Sequence, residues 1–171
     1  MRYIALWRGI NVGKAKRLAM ADLKALLTEM GATNVSTLLN SGNAVFEAKK
    51  KLTADKIRKA VSEQLGVDAA VILKTAAEWA AISAEQPIKE AHDHSRLLVA
   101  VTADAATLKA AEGIVTAGDE RFVVTAHAAY LWCANGILES KAGVQLLKKL
   151  GDGGTTRNWA TVEKLNALAQ G

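Results

Sequence analysis

Three groups of basic residues fall where a helix is expected to begin: Lys16-Arg17 before Met20, Lys141 directly after Ser140, and Arg157 directly after Thr156. A helix start is electropositive because its first N–H groups lack partners, so an exposed cation there is unfavourable by about 0.3–1 kcal/mol. Free N–H groups, hydroxyl caps and basic side chains together make a binding site for an anion. On this reading Ser140, Lys141, Arg157 and the neighbouring Asn158 are candidate ligand contacts. The segment Arg8-Gly9-Ile10-Asn11-Val12-Gly13-Lys14 adds Arg8, Asn11 and Lys14. It is not a P-loop: only three residues separate its glycines, and Ala15 follows Lys14 where a hydroxyl would hold Mg²⁺. Asn40-Ser41-Gly42-Asn43 suits a hairpin turn and offers Ser41 and Asn43 as further polar contacts. Arg8, Lys141 and Arg157 are expected to converge on one cleft. The plainer alternative has the lysines in water and Arg157 bridged to a carboxylate such as Asp152.

Other chemistry is harder to assemble. His92-Asp93-His94 has two histidines at i and i+2 without a separated third ligand, so a solvated loop is expected and no metal. His127 lies near a hairpin turn with no recognisable partner. Cys133 is the only cysteine, which excludes an intrachain disulfide and a thiolate cluster, and its neighbours Tyr130, Leu131 and Trp132 suggest packing. No Ser-His-Asp or Cys-His constellation follows from spacing. Tyr3 and Trp7 share a strand face and, with Phe46, could form a platform for RNA bases. The motif glycines of such binders are missing, and the second half of the chain is expected to cover these rings.

The elements that must position these residues run as follows. Tyr3–Arg8 reads as a strand, and Met20, Leu23, Leu26, Leu27 and Met30 mark a helix stopped by Gly31. Strands at 34–39 and 44–47 flank the turn, Thr53 caps a helix burying Ile57, Val61 and Leu65, and Val67–Lys74 closes a βαββαβ unit, the ferredoxin-like order. After a helix near 75–84 and the single proline, Pro87, strands are expected at 96–101, 121–126 and 129–134, with helices at 105–112 and after Ser140. The latter helix should turn Val144, Leu147 and Leu150 inward. Asp152-Gly153-Gly154 then loops into a last helix carrying Trp159, Val162, Leu165 and Leu168. The second half is thus βαββα with a helix in place of the sixth strand. The fold class is α+β: two ferredoxin-like halves, 1–75 and 95–171, joined by a helix and loop at 76–94 and packed as one body. It reads as a structural duplication without a sequence repeat.

At 171 residues, half of them hydrophobic, the chain can bury a core without staples. No apolar run reaches the roughly 18 residues of a membrane span, and the first residues lack signal-peptide features, so a cytoplasmic location is expected. Residues 1–60 hold twelve Lys/Arg against four Asp/Glu, whereas residues 61–171 hold ten against thirteen. A basic first half suits a phosphate-bearing partner, either a nucleotide or a nucleic acid.

Three segments carry a family resemblance: Arg8-Gly9-Ile10-Asn11-Val12-Gly13-Lys14, then Leu38-Leu39-Asn40-Ser41-Gly42-Asn43-Ala44-Val45-Phe46, then Thr155-Thr156-Arg157-Asn158-Trp159-Ala160-Thr161-Val162-Glu163-Lys164-Leu165. Gly136-Ile137-Leu138-Glu139-Ser140-Lys141 is a weaker fourth. In order and spacing they resemble the bacterial domain of unknown function 1697 family. Ala44 stands where that family often has valine, and Ala160 where it often has asparagine. The resemblance implies two ferredoxin-like subdomains and carries no activity. Function is therefore expected to be binding of a phosphate-bearing ligand, with no cofactor. The alternatives are a metal-independent enzyme acting on an anionic small molecule, using the same groups, and a structural or interaction module that pairs through the sheet edge left by the missing strand.

Overall fold

Alternation along Arg2–Trp7 (β1) sends Tyr3, Ala5 and Trp7 to one face of a sheet and Ile4 and Leu6 to the other, and both faces are buried. The computed structural model describes residues 1–171. β1 lies inside an antiparallel sheet with β2 (Ala32–Thr37), β3 (Asn43–Ala48) and β4 (Val71–Thr75), in the order β2-β3-β1-β4. α1 (Met20–Glu29) and α2 (Ala54–Leu65) cover its first face. Leu23, Leu26 and Leu27 of α1 and Ile57 and Val61 of α2 pack there against Tyr3, Trp7 and Phe46. The aromatic trio is therefore core, sealed by helices of its own half and not by the second half. Tyr3 and Phe46 sit opposite each other on β1 and β3, with ring centroids 5.7 Å apart.

The second half repeats the strand order. β5 (Leu97–Thr102), β6 (Arg121–Val124), β7 (Ala129–Trp132) and β8 (Gly154–Asn158) form a sheet ordered β6-β7-β5-β8. β8 is the fourth strand of this half and the sixth element of its βαββαβ order. The sequence predicts a loop and helix start there, because one glycine and four polar residues show no apolar alternation. β8 pairs antiparallel with β5 from Leu98↔Asn158 to Thr102↔Gly154, so the edge expected to be vacant is filled. Gly154 permits this closeness, since an added Cβ would lie 3.0 Å from the Val101 carbonyl oxygen. The two halves are ferredoxin-like, each with four strands and two helices on one face.

α3 (Ala76–Ala84) and α6 (Trp159–Gln170) belong to a middle layer between the sheets. Trp79, Ile82, Trp159, Val162 and Leu165 meet Ile4, Leu6 and Ile72 from one side and Val99, Val101 and Tyr130 from the other. Trp79 Nε1 donates to the Val162 carbonyl at 3.0 Å, which fixes the two helices to each other. Beyond the second sheet lie α4 (Ala105–Ala110) and α5 (Lys141–Leu150). The buried stripe of α5 is Ala142, Leu146 and Leu150, a spacing of four, while Val144 points outward at 57% exposure. Its inward phase thus differs from the expected Val144–Leu147 face by part of a turn. In α6 the last inward residue is Ala169, and Leu168 is exposed. No helix is long and apolar enough to cross a membrane.

Candidate functional site

After β1 the backbone turns left-handed four times, at Gly9, Asn11, Gly13 and Lys16. Asparagine tolerates this conformation better than most residues, and its side chain here holds the loop shut. Asn11 Oδ1 accepts from the Leu18 N–H at 2.7 Å, while Nδ2 donates to the carbonyls of Leu18 and Asn40, each at 2.8 Å. The Asn11 N–H donates to the Lys16 carbonyl, and Val12 bridges Ala15. A small closed loop results, with Lys14, Lys16 and Arg17 exposed on it. Together with Arg8 they form no ion pair with any carboxylate. Arg8 is half-buried and donates to the Gly154 carbonyl at 3.1 Å.

Arg157 reaches the Trp7 carbonyl, at the end of β1 just before this loop, and differs from its expected role. It is a strand residue paired with Val99 on β8, not a first-turn residue of a helix, and it is 8% exposed. Nε donates to Asn43 Oδ1 at 2.7 Å, and Nη1 to Thr155 Oγ1 and the Thr156 carbonyl. Nη2 donates to the carbonyls of Trp7, Ser41 and Gly42, at 2.6, 3.1 and 3.1 Å. These six acceptors use every N–H of the guanidinium, so none is left to face a ligand. Burial pulls its pKa down to about 10, so it remains cationic at neutral pH, and no carboxylate touches it. Asp152, the plainer partner, bonds Arg58 instead.

The turn that receives Arg157 is shaped for it. Asn43, fully buried, donates through Nδ2 to the Leu38 carbonyl and to Ser41 Oγ, which turns its oxygen toward the guanidinium. Gly42 has φ +93°, and an added Cβ would fall 2.6 Å from Ile10 Cδ1 and 2.9 Å from Trp7 Cβ. The three motif segments named above therefore meet at one point and lock the first sheet to the second.

The remaining candidates are dispersed or occupied. Asn158 is the N-cap of α6 and accepts from the Thr161 N–H. Ser140 caps α5, accepting from the Gly143 N–H, and donates to Glu120 Oε2 at 2.6 Å. Lys141 is exposed in the first turn, with the Glu120 carboxylate one hydrogen bond from the cap to offset the helix dipole. α5 packs on the outer face of the second sheet, beside Leu98 and Ala100, whereas Arg157 lies on the face of Val99. The expected convergence of Arg8, Lys141 and Arg157 is corrected accordingly: Arg8 and Arg157 each reach across from one sheet to the other, to the Gly154 and Trp7 carbonyls, and Lys141 lies on α5 against the opposite face of the second sheet.

Cys133 is buried among α4 and α5 residues, and burial pushes its thiol pKa up. His92 lies against Trp132, and His94 pairs with Glu163 at 3.2 Å. His127 has a partner the sequence did not reveal: its Nδ1 is 2.6 Å from Glu85 Oε1, forty-two residues away in the chain. Only the close approach of the α3 end to the β6–β7 turn brings them together.

A family model described as "Protein of unknown function (DUF1697)" matches residues 1–130. No match was found among curated proteins. A solved structure of a conserved bacterial protein from Streptococcus pneumoniae is similar, with a TM-score of 0.76 at 19% identity, covering 98% of each chain. At that identity the likeness concerns the fold alone. The chain belongs to the DUF1697 family.

Proposed function

We propose that this chain binds a phosphate-bearing polyanion, such as single-stranded nucleic acid, through the loop of residues 9–18. The observation that supports it is the set Lys14, Lys16 and Arg17, exposed and outside any ion pair, in a chain whose Arg157 is a buried guanidinium touched by no carboxylate. Carbonyl dipoles solvate Arg157 but do not cancel its charge, so the positive potential extends to the surface. Three exposed cations spread along one loop suit a chain of phosphates better than a single enclosed nucleotide. Tyr3, Trp7 and Phe46 are buried and offer no face for base stacking, so the contact is to backbone phosphates and tolerant of sequence. The alternative of an enzyme acting on an anionic substrate through these groups gains nothing from Arg157, whose N–H groups are all engaged. Self-pairing through a vacant sheet edge loses its motive, because β8 fills that edge.

The test is fluorescence anisotropy with a labelled single-stranded oligonucleotide across a salt series. Three phosphate contacts predict a log–log salt slope of about −2. The combined variant Lys14→Ala, Lys16→Ala, Arg17→Ala should abolish measurable binding. Equal binding by this variant would overturn the reading. Tight, salt-insensitive binding of a nucleoside triphosphate would assign the loop to a small ligand instead.

A further inference from the structure

Between the halves, on the side of α3, lies a cleft of about 370 Å³ lined by Leu73, Lys74, Ile82, Asp104, Leu108 and His127 among others. That size lies toward the lower end of the range for small-molecule sites, roughly 300–1,000 Å³. Its charged side chains are already occupied. Lys74 pairs with Glu78 at 3.9 Å, and Asp104 caps α4 by accepting from the Thr107 N–H. The remaining wall is Leu73, Ile82, Leu108, three alanines and Thr102, so an uncharged small molecule with an apolar part is the class that fits.

His127 stands at this cleft as an oriented base. Its Nδ1 meets Glu85 Oε1 at 2.6 Å, and Thr125 Oγ1 donates to the other oxygen, Oε2, at 3.1 Å. An ionised carboxylate only accepts, so Nδ1 carries the proton, and the neutral form of the ring has its lone pair on Nε2. Nε2 has no partner in the protein, and the ring is 44% exposed. The support is firm on both sides. Glu85 ends α3, which Tyr130 ties down by donating to the Ile82 carbonyl at 2.5 Å, and the turn is closed by the Thr125 N–H on the Ala128 carbonyl.

We infer that this cleft is a general acid–base site that hydrolyses a small uncharged ester. His127 Nε2 takes a proton from water as the water oxygen bonds to the carbonyl carbon. The bond from that carbon to the leaving oxygen then breaks, and the leaving oxygen recovers the proton from the imidazolium, giving acid and alcohol. Glu85 is a positioning residue that fixes the tautomer and the ring. This activity is independent of loop 9–18.

The probe is p-nitrophenyl acetate with the full chain. Saturable hydrolysis above the rate of equimolar free imidazole is expected, reduced about a hundredfold or more by His127→Ala. His127→Asn, which keeps a donor near Nδ1, serves the same purpose should the alanine variant not fold. Glu85→Ala should lower the rate severalfold, and nitrogen NMR should show His127 moving from the Nδ1–H to the Nε2–H form. A rate no higher than imidazole, indifference to His127 substitution, or an Nε2–H ring in the native chain would overturn the inference. Equal turnover of p-nitrophenyl phosphate would overturn the assigned substrate class.

Discussion

Arg157 and the loop at residues 9–18 carry the same sign of charge within one corner of the molecule, and their surroundings give them opposite tasks. Arg157 is enclosed by six oxygen acceptors, four of them main-chain carbonyls, drawn from both sheets. Lys14, Lys16 and Arg17 point into water and cross-link nothing between the halves, Arg17 reaching only the Gly13 carbonyl of its own loop. A buried cation whose donors are all used is a structural bolt. An exposed cation without a partner remains free to meet something else. Charge and motif membership alone do not separate these cases; the count of unused donors does.

The largest effect is expected at the bolt. Arg157→Ala would strand the Asn43 oxygen and the carbonyls of Trp7, Ser41 and Gly42, and should lower stability by roughly 3 kcal/mol or more in urea titration. Arg157→Lys should recover only part, because one ammonium supplies three donors for six acceptors. A loss under about 1 kcal/mol would mean that the halves hold together without it. Gly42→Ala tests the socket. Its positive φ and the clash with Ile10 and Trp7 predict a loss of about 2 kcal/mol, with the melting temperature falling accordingly. The smallest effect belongs to the loop. Its triple alanine variant should stay within about 0.5 kcal/mol of the native stability, and a larger loss would show that those cations are structural after all.

What the sequence revealed depended on whether side chains or main chain carried the information. β1 was legible because Tyr3, Ala5 and Trp7 alternate with Ile4 and Leu6, and both sets are apolar. α1 and α2 followed from their leucine, isoleucine and valine spacing. β8 was not legible: Thr155, Thr156 and Asn158 are polar, and the strand is held by its pairing with β5 rather than by its own pattern. The phase of α5 slipped because Ala142 and Gly143 carry little hydrophobic weight yet face the core. Arg157 reads as a residue of a helix start but lies within β8, and its carbonyl acceptors leave no trace in residue type. The His127–Glu85 pair was invisible because its members lie on separate elements.

The Trp7 carbonyl and the Arg157 guanidinium are 150 positions apart in the chain, and this separation bears on the order in which the molecule is made. During synthesis the first sheet is complete while its face of Ile4, Leu6, Val45 and Ile72, and the carbonyls of Trp7, Ser41 and Gly42, still await partners from the far end. Until residue 157 has been made, that face and those carbonyls lack their native cover, and the guanidinium can act only as a late latch. A latch formed after the folding barrier governs how fast the door opens, not how fast it shuts. In stopped-flow measurements Arg157→Lys should accelerate unfolding while leaving the refolding rate nearly unchanged.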